Sequence, residues 1–135
     1  MSWLLDTCVL SDFARGDRAT LARLRATARR EVAVSALTVH EVEYGLGRRP
    51  ALSRPVRQAM RDLLGALEVI PFSQAEAQAS AALRVALEKS GRPIGAYDVL
   101  IAGTALCRGR TLVTANVREF SRISGLAVEN WRSTK

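Results

Sequence analysis

The 135 residues are enough for one domain with a real core, and a hydrophobic share of 48% excludes a disordered tail. The apolar runs are too short to cross a bilayer and no basic start precedes an apolar stretch, so neither a membrane span nor a secretory signal is expected, and the cytoplasm is the expected compartment. A formal charge of +7 rests almost wholly on arginine, with Lys89 and Lys135 the only lysines; guanidinium groups grip phosphates, so nucleic acid is one reading of it and a GC-rich genome the other.

In chain order, residues 2–5 read as a strand, and Val9 to Arg15 as a short helix stopped by Gly16. Asp17 then caps a second helix, with Leu21 and Leu24 at helical spacing. VAV at 32–34 is a second strand, followed by a helix from about Thr38 to Leu46. After Pro50, the pattern of Val56, Met60, Leu63, Leu64 and Leu67 is helical, and VIPF at 69–72 is a short strand interrupted by proline.

Ser73 caps an alanine-rich helix that runs to Glu88 and stops before Gly91 and Pro93. YDVLIAGTAL at 97–106 is a mostly buried helix, TLV at 111–113 a strand and LAV at 126–128 another. Strands alternating with helices predict a parallel sheet covered on both faces, in a single domain spanning 1–135. Cys8 and Cys107 fit no metal-binding spacing and are expected as free, packed thiols; a lone histidine, His40, argues against zinc.

Four oxygen-bearing residues stand out by position. Asp6 ends the first strand, Glu41 lies in the first turn or so of the helix after the second, Asp98 opens the buried helix, and Asn116 follows TLVT. In a parallel α/β sheet the strand ends and helix starts share one edge, where such folds place their sites. Each residue also has a plain structural explanation: Asp6 and Asn116 as caps, Thr38 with Glu41 as a T-x-x-E capping box, Asp98 as a complement to a helix dipole. Three carboxylates at one edge, however, repel one another, and a divalent cation removes that penalty. Oxygen-only ligands point to Mg2+, or Mn2+, and away from zinc or copper.

The stretches LLDTCVLSDF, SALTVHEVEYG, GAYDVLIAGTAL and TLVTANVREF, in this order and at these separations, resemble the four motifs of the PIN-domain family, specifically the VapC toxins of bacterial toxin–antitoxin pairs. The resemblance runs from Leu4 to about Trp131. It implies an α/β fold, a PIN-like three-layer α/β/α sandwich with a central parallel sheet. It also implies a Mg2+-dependent endoribonuclease in which a cation-activated water cuts RNA phosphodiester bonds. Asp6, Glu41 and Asp98 fall on the family's acidic ligands. Asn116 completes the catalytic and metal-binding set, at a position where the family often has aspartate, so a neutral ligand puts the number of metal ions in question. The implied partners are a VapB-type antitoxin, an RNA substrate and a second copy of the chain, a homodimer within a larger toxin–antitoxin complex.

Thr7, Ser11 and Thr114 carry short hydroxyls near these motifs and are candidates to orient a ligand or water. Glu119, three residues past Asn116, is a candidate to supply through a water the charge that asparagine lacks, although a solvated turn position is the plainer expectation. His40 stands about 100° around the helix from Glu41, so the two cannot face one crevice squarely. Asp12 is expected to be peripheral. Arg15, Arg48, Arg49 and Arg118 are the candidates for RNA backbone contacts, and Trp3, Phe120 and Trp131 are assigned to packing.

Two alternatives remain at this point. A haloacid-dehalogenase-like phosphatase also starts with a strand ending in aspartate but needs a second aspartate where this chain has Cys8. A PIN-fold module that binds RNA or protein without cleavage would be signalled by Asn116, against which stand the three retained acids.

Overall fold

Short apolar segments become the inner strands here because their side chains are buried on both faces of the sheet, which favours near-continuous hydrophobic runs over alternation. The structure is a computed structural model and describes residues 1–134. Among the described residues five strands pair in parallel: β1 (Trp3–Leu5), β2 (Val32–Ser35), β3 (Glu68–Ile70), β4 (Thr111–Val113) and β5 (Val128–Glu129). Their spatial order is β3-β2-β1-β4-β5, so the chain works outward from β1 on one side and then crosses back to build the other. The strand order reverses beside β1, and the crevice beyond the carboxyl ends of β1 and β4 is where an open parallel sheet takes its ligands.

The helices are α1 (Thr7–Ala14), α2 (Arg18–Ala26), α3 (Ala36–Arg48), α4 (Arg54–Ala66), α5 (Gln74–Lys89), α6 (Ala96–Arg108) and the short α7 (Val117–Phe120). Successive strand residues face opposite sides, which divides the core in two. Leu4, Ala33 and Leu112 point to the layer of α5 and α6, together with Ile101, Ala105 and Phe120. Leu5, Val34 and Val113 point to the layer of α1, α3 and α4, together with Leu10, Val42, Met60 and Trp131. The result is the expected three-layer sandwich. Trp3 and Trp131 meet edge to face at 6.1 Å, and Phe120 is fully buried, so all three serve packing as expected.

Several boundaries differ from the sequence expectations, for local reasons. Helix α1 starts at Thr7, not Val9, because the Asp6 carboxylate accepts from the Thr7 amide at 2.7 Å. Helix α3 starts at Ala36 because the Ser35 hydroxyl is its cap, accepting from the Leu37 amide at 3.1 Å. Thr38 therefore lies inside the helix, and the capping-box explanation of Glu41 fails. Strand β3 ends before Pro71, which has no amide proton to offer a neighbour, and β5 sits two residues later than the LAV stretch. Cys107 is a free thiol as expected but exposed rather than packed, while Cys8 is half-buried.

Helices α5 and α6 are drawn together by two features. Glu76 is buried: its carboxylate accepts from the Ser73 amide at 2.9 Å and from the Ser73 hydroxyl, and takes the Arg108 guanidinium from α6 at 2.8 Å. Gly103 lets the α6 backbone approach α5 so closely that a Cβ there would stand 2.7 Å from the Ser80 Cα. No helix among the described residues is long and apolar enough to cross a membrane.

Candidate active site at the carboxyl edge of the sheet

The register of the sheet places Leu5 beside Val34 on one side and Val113 on the other, so Asp6, Ser35 and Thr114 leave the sheet at one level. The Asp6 amide continues the ladder by donating to the Val113 carbonyl at 2.9 Å. The Asp6 carboxylate is 8% exposed and is held from two sides: Oδ1 by the Thr7 amide at 2.7 Å and Oδ2 by the Thr114 hydroxyl at 2.8 Å. Burial raises its pKa above the usual aspartate value, and these hydrogen bonds hold the rise in check. The aspartate is thus both the cap of α1 and a carboxylate at the switch point.

Glu41 projects from the second turn of α3, where its Oε1 accepts from the Thr7 hydroxyl at 2.7 Å. Thr7 therefore serves two carboxylates at once, Asp6 through its amide and Glu41 through its hydroxyl. Asp98 lies in the first turn of α6, which is capped by Gly95. Its carboxyl is pushed from 3.8 up to about 7, first by burial and then by the negative charges of Asp6, Glu119 and Glu41. A hydrogen bond to Glu119 adds to the rise. Among the described residues none of these four acids forms an ion pair with a basic group.

Glu119 belongs to this cluster and is not a solvated turn residue. Its Oε1 accepts from the Gly95 amide at 3.1 Å and its Oε2 from the Asn116 side-chain amide at 3.1 Å. Those bonds, the Gly95 amide first, hold its pKa below the usual glutamate value. Asn116 is exposed; its side chain orients Glu119, while its backbone N–H donates to the Thr114 hydroxyl at 3.0 Å. The i, i+3 spacing of Asn116 and Glu119 was visible in the sequence, but the partner that fixes Glu119 is 24 residues away. Gly95, the first residue of the GAYDVLIAGTAL stretch, carries no side-chain chemistry to mark it, yet a Cβ there would stand 3.3 Å from an Asp98 carboxylate oxygen.

The other candidates stand at or beyond the rim. Ser11, Arg15, Arg48 and Arg49 line a cavity of about 390 Å³ that opens beside Thr7 and Glu41 between α1, α3 and α4. The Ser11 hydroxyl accepts from the Arg15 guanidinium at 3.2 Å. Asp12 is engaged by Arg132 at 2.9 Å and 3.0 Å, away from the acids, and Arg118 is exposed beside Asn116. His40 is exposed on the lip of the crevice, against Tyr44 and Tyr97.

The donor set fits a hard divalent cation: four carboxylates, no counter-ion among the described residues, and hydroxyls behind Asp6 and Glu41. Among the described residues no three His, Cys, Asp or Glu side chains are gathered tightly enough to form a ready-made cage.

The profile of the PIN domain matches residues 3–126. A tRNA(fMet)-specific endonuclease VapC of Shigella flexneri is 33% identical over 101 residues, 75% of this chain and 76% of that protein. Ribonuclease VapC2 of Rickettsia felis is 38% identical over 101 residues, 74% of each. The fold superposes with a TM-score of 0.86 and 30% identity on a VapBC2 structure from Rickettsia felis bound to a promoter DNA fragment, covering 97% of this chain and 99% of that one. With the acids converging where the four motifs meet, and the family match running from β1 past β4, the chain belongs to the PIN domain family, among the VapC ribonucleases.

Proposed function

We propose that this protein is a divalent-cation-dependent endoribonuclease that cuts RNA phosphodiester bonds at the carboxylate crevice, as the toxin of a VapBC-type pair. The observation that carries the reading is the convergence of Asp6, Glu41, Asp98 and Glu119 from four separate segments with no basic partner among the described residues. A fold gains nothing from such a grouping unless a cation offsets it. Asp6, Glu41 and Asp98 would hold Mg2+ or Mn2+, with Glu119, steered by Asn116, supplying the charge that asparagine lacks.

When bound, the cation supplies an activated attacking water and stabilises charge on the phosphate and the leaving oxygen. The remaining work falls to the chain itself. Thr114 and the Thr7 amide keep Asp6 oriented and favour its ionised form; the Thr7 hydroxyl orients Glu41. Asp98, with its carboxyl raised to about 7 beside Glu119, is poised to hold or give up a proton near neutral pH, and a bound cation would favour its ionised form. Arg15, Arg48 and Arg49 stand where the RNA backbone would pass.

The partners follow from the same reading: a VapB-type antitoxin that blocks the crevice, and a second copy of the chain, in the cytoplasm. The Shigella flexneri relative is named for tRNA(fMet), which makes initiator tRNA the first substrate to try. The test is purified protein with tRNA, in Mg2+, in Mn2+ and in EDTA, beside Asp6→Ala. Metal-dependent cleavage that Asp6→Ala loses supports the reading. Thermal stability that does not respond to either cation, with no cleavage, replaces it with a binding-only module.

A further inference from the structure

Three aromatic side chains that have no place in the core meet beside the acids. Tyr44 is 57% exposed and Tyr97 48%, so neither ring was recruited by packing. His40 joins them: its ring lies 5.7 Å from that of Tyr97 and 6.3 Å from that of Tyr44, nearly parallel to the latter at 9°. Two helices contribute, and each places a ring directly before a carboxylate, His40 before Glu41 on α3 and Tyr97 before Asp98 on α6. The Arg48 guanidinium covers Tyr44 at 5.5 Å and donates to its hydroxyl at 3.3 Å.

We propose that His40, Tyr44 and Tyr97 form a shelf on which an unpaired nucleobase stacks, next to the bond that the carboxylate crevice cuts. The identity of the occupant rests on the ribonuclease reading; the shelf itself rests on the exposed rings. Exposed aromatic faces recognise bases of any sequence, and they do so in unpaired segments, where bases can be splayed out. Arg48 adds a cation beside the shelf for the adjoining phosphate, in keeping with the +7 charge of the chain. The turn of about 100° between His40 and Glu41, which keeps the histidine off the acids, is what sets it on the lip.

Binding without catalysis isolates this surface. Fluorescein-labelled octamers of uridylate and of adenylate, titrated in EDTA and followed by anisotropy, are compared with octamers carrying one abasic residue. Tyr44→Ala and Tyr97→Ala are each expected to weaken intact octamers roughly ten-fold and the matched abasic octamer far less, with Tyr97→Phe restoring the parent affinity. Both rings are exposed, and melting curves verify the folds. Alanine variants that bind as the parent does overturn the shelf, as does a parent that holds no octamer. Unchanged RNA binding with an altered sedimentation coefficient also overturns it and assigns the rings to a contact between copies of the chain. Cleavage in Mg2+ is scored separately: a parent that binds through these rings yet never cuts keeps the shelf and sinks the ribonuclease reading. One that cuts while the variants bind and cut at its rate sinks the shelf alone.

Discussion

The Thr114 hydroxyl donates to Asp6 Oδ2 at 2.8 Å and receives the Asn116 amide at 3.0 Å, joining two segments 108 residues apart in sequence. A single buried oxygen thereby sets the orientation of the central carboxylate and the start of the segment that carries Glu119. Thr114→Val is expected to leave the fold intact while weakening Mg2+ binding and cleavage roughly 10- to 100-fold, the range for losing a group that orients a metal ligand. Thr114→Ser retains both. Cation titration by calorimetry beside cleavage rates tests this, and a valine variant with the parent's cation affinity would refute it.

Asp98→Asn and Asp6→Ala are each expected to abolish RNA cleavage, and Asp98→Asn to stabilise the cation-free protein above neutral pH. The folded Asp98 carboxyl sits at about 7, against 3.8 ordinarily, so its contribution is fully present below the unfolded value and is lost as pH rises through the folded one. Melting temperatures in EDTA should show the difference between variant and parent growing between about pH 4 and about pH 7, and a difference that is flat with pH contradicts the cluster. Saturating Mg2+ should reverse the order, because only the parent's site gains stability from the ion.

Glu76 has the opposite sign. Its carboxylate, held by Ser73 first and Arg108 second, is lowered from 4.5 to about 2. Its contribution is therefore present above the unfolded value and lost as pH falls through the folded one. Glu76→Gln should be less stable than the parent at neutral pH, with the gap closing in acid, as read from unfolding in urea at a series of pH values.

Gly103→Ala would bring a Cβ to 2.7 Å from Ser80 Cα and 2.9 Å from its amide nitrogen, so helix α6 must move away from α5. A loss of about 1–3 kcal/mol is expected from overpacking of this kind. The urea midpoint measures it, and an unchanged midpoint would mean that the two helices are free to separate.

The fold was legible because its strands are apolar runs between helical periods and because the cap residues Asp17, Ser73 and Asp6 act as their chemistry dictates. Asp6, one of whose two readings was a cap, does cap α1, and the cap position is also what points it out of the sheet. The sequence was less clear about Glu41. Thr38 and Glu41 make a plausible capping box on paper, and only the strand end at Ser35 shows that a different hydroxyl has the task. The neighbours of Glu119 in sequence describe a wet turn, whereas Gly95 and Asp98 reach it from the start of another helix, so its place in the cluster has no local signature.

By itself the sequence determined the period of each element, caps such as Asp17 and Ser73, and the presence of acids at strand ends and helix starts, because these follow from interactions within a few residues. Only the tertiary structure decided which acids share a crevice, that Thr114 and Gly95 hold two of them, and that three aromatic rings remain outside the core on its lip. Those outcomes depend on parallel strand register and on two helices crossing over the same edge. Such long-range geometry is set by packing across the whole sheet and leaves no local pattern.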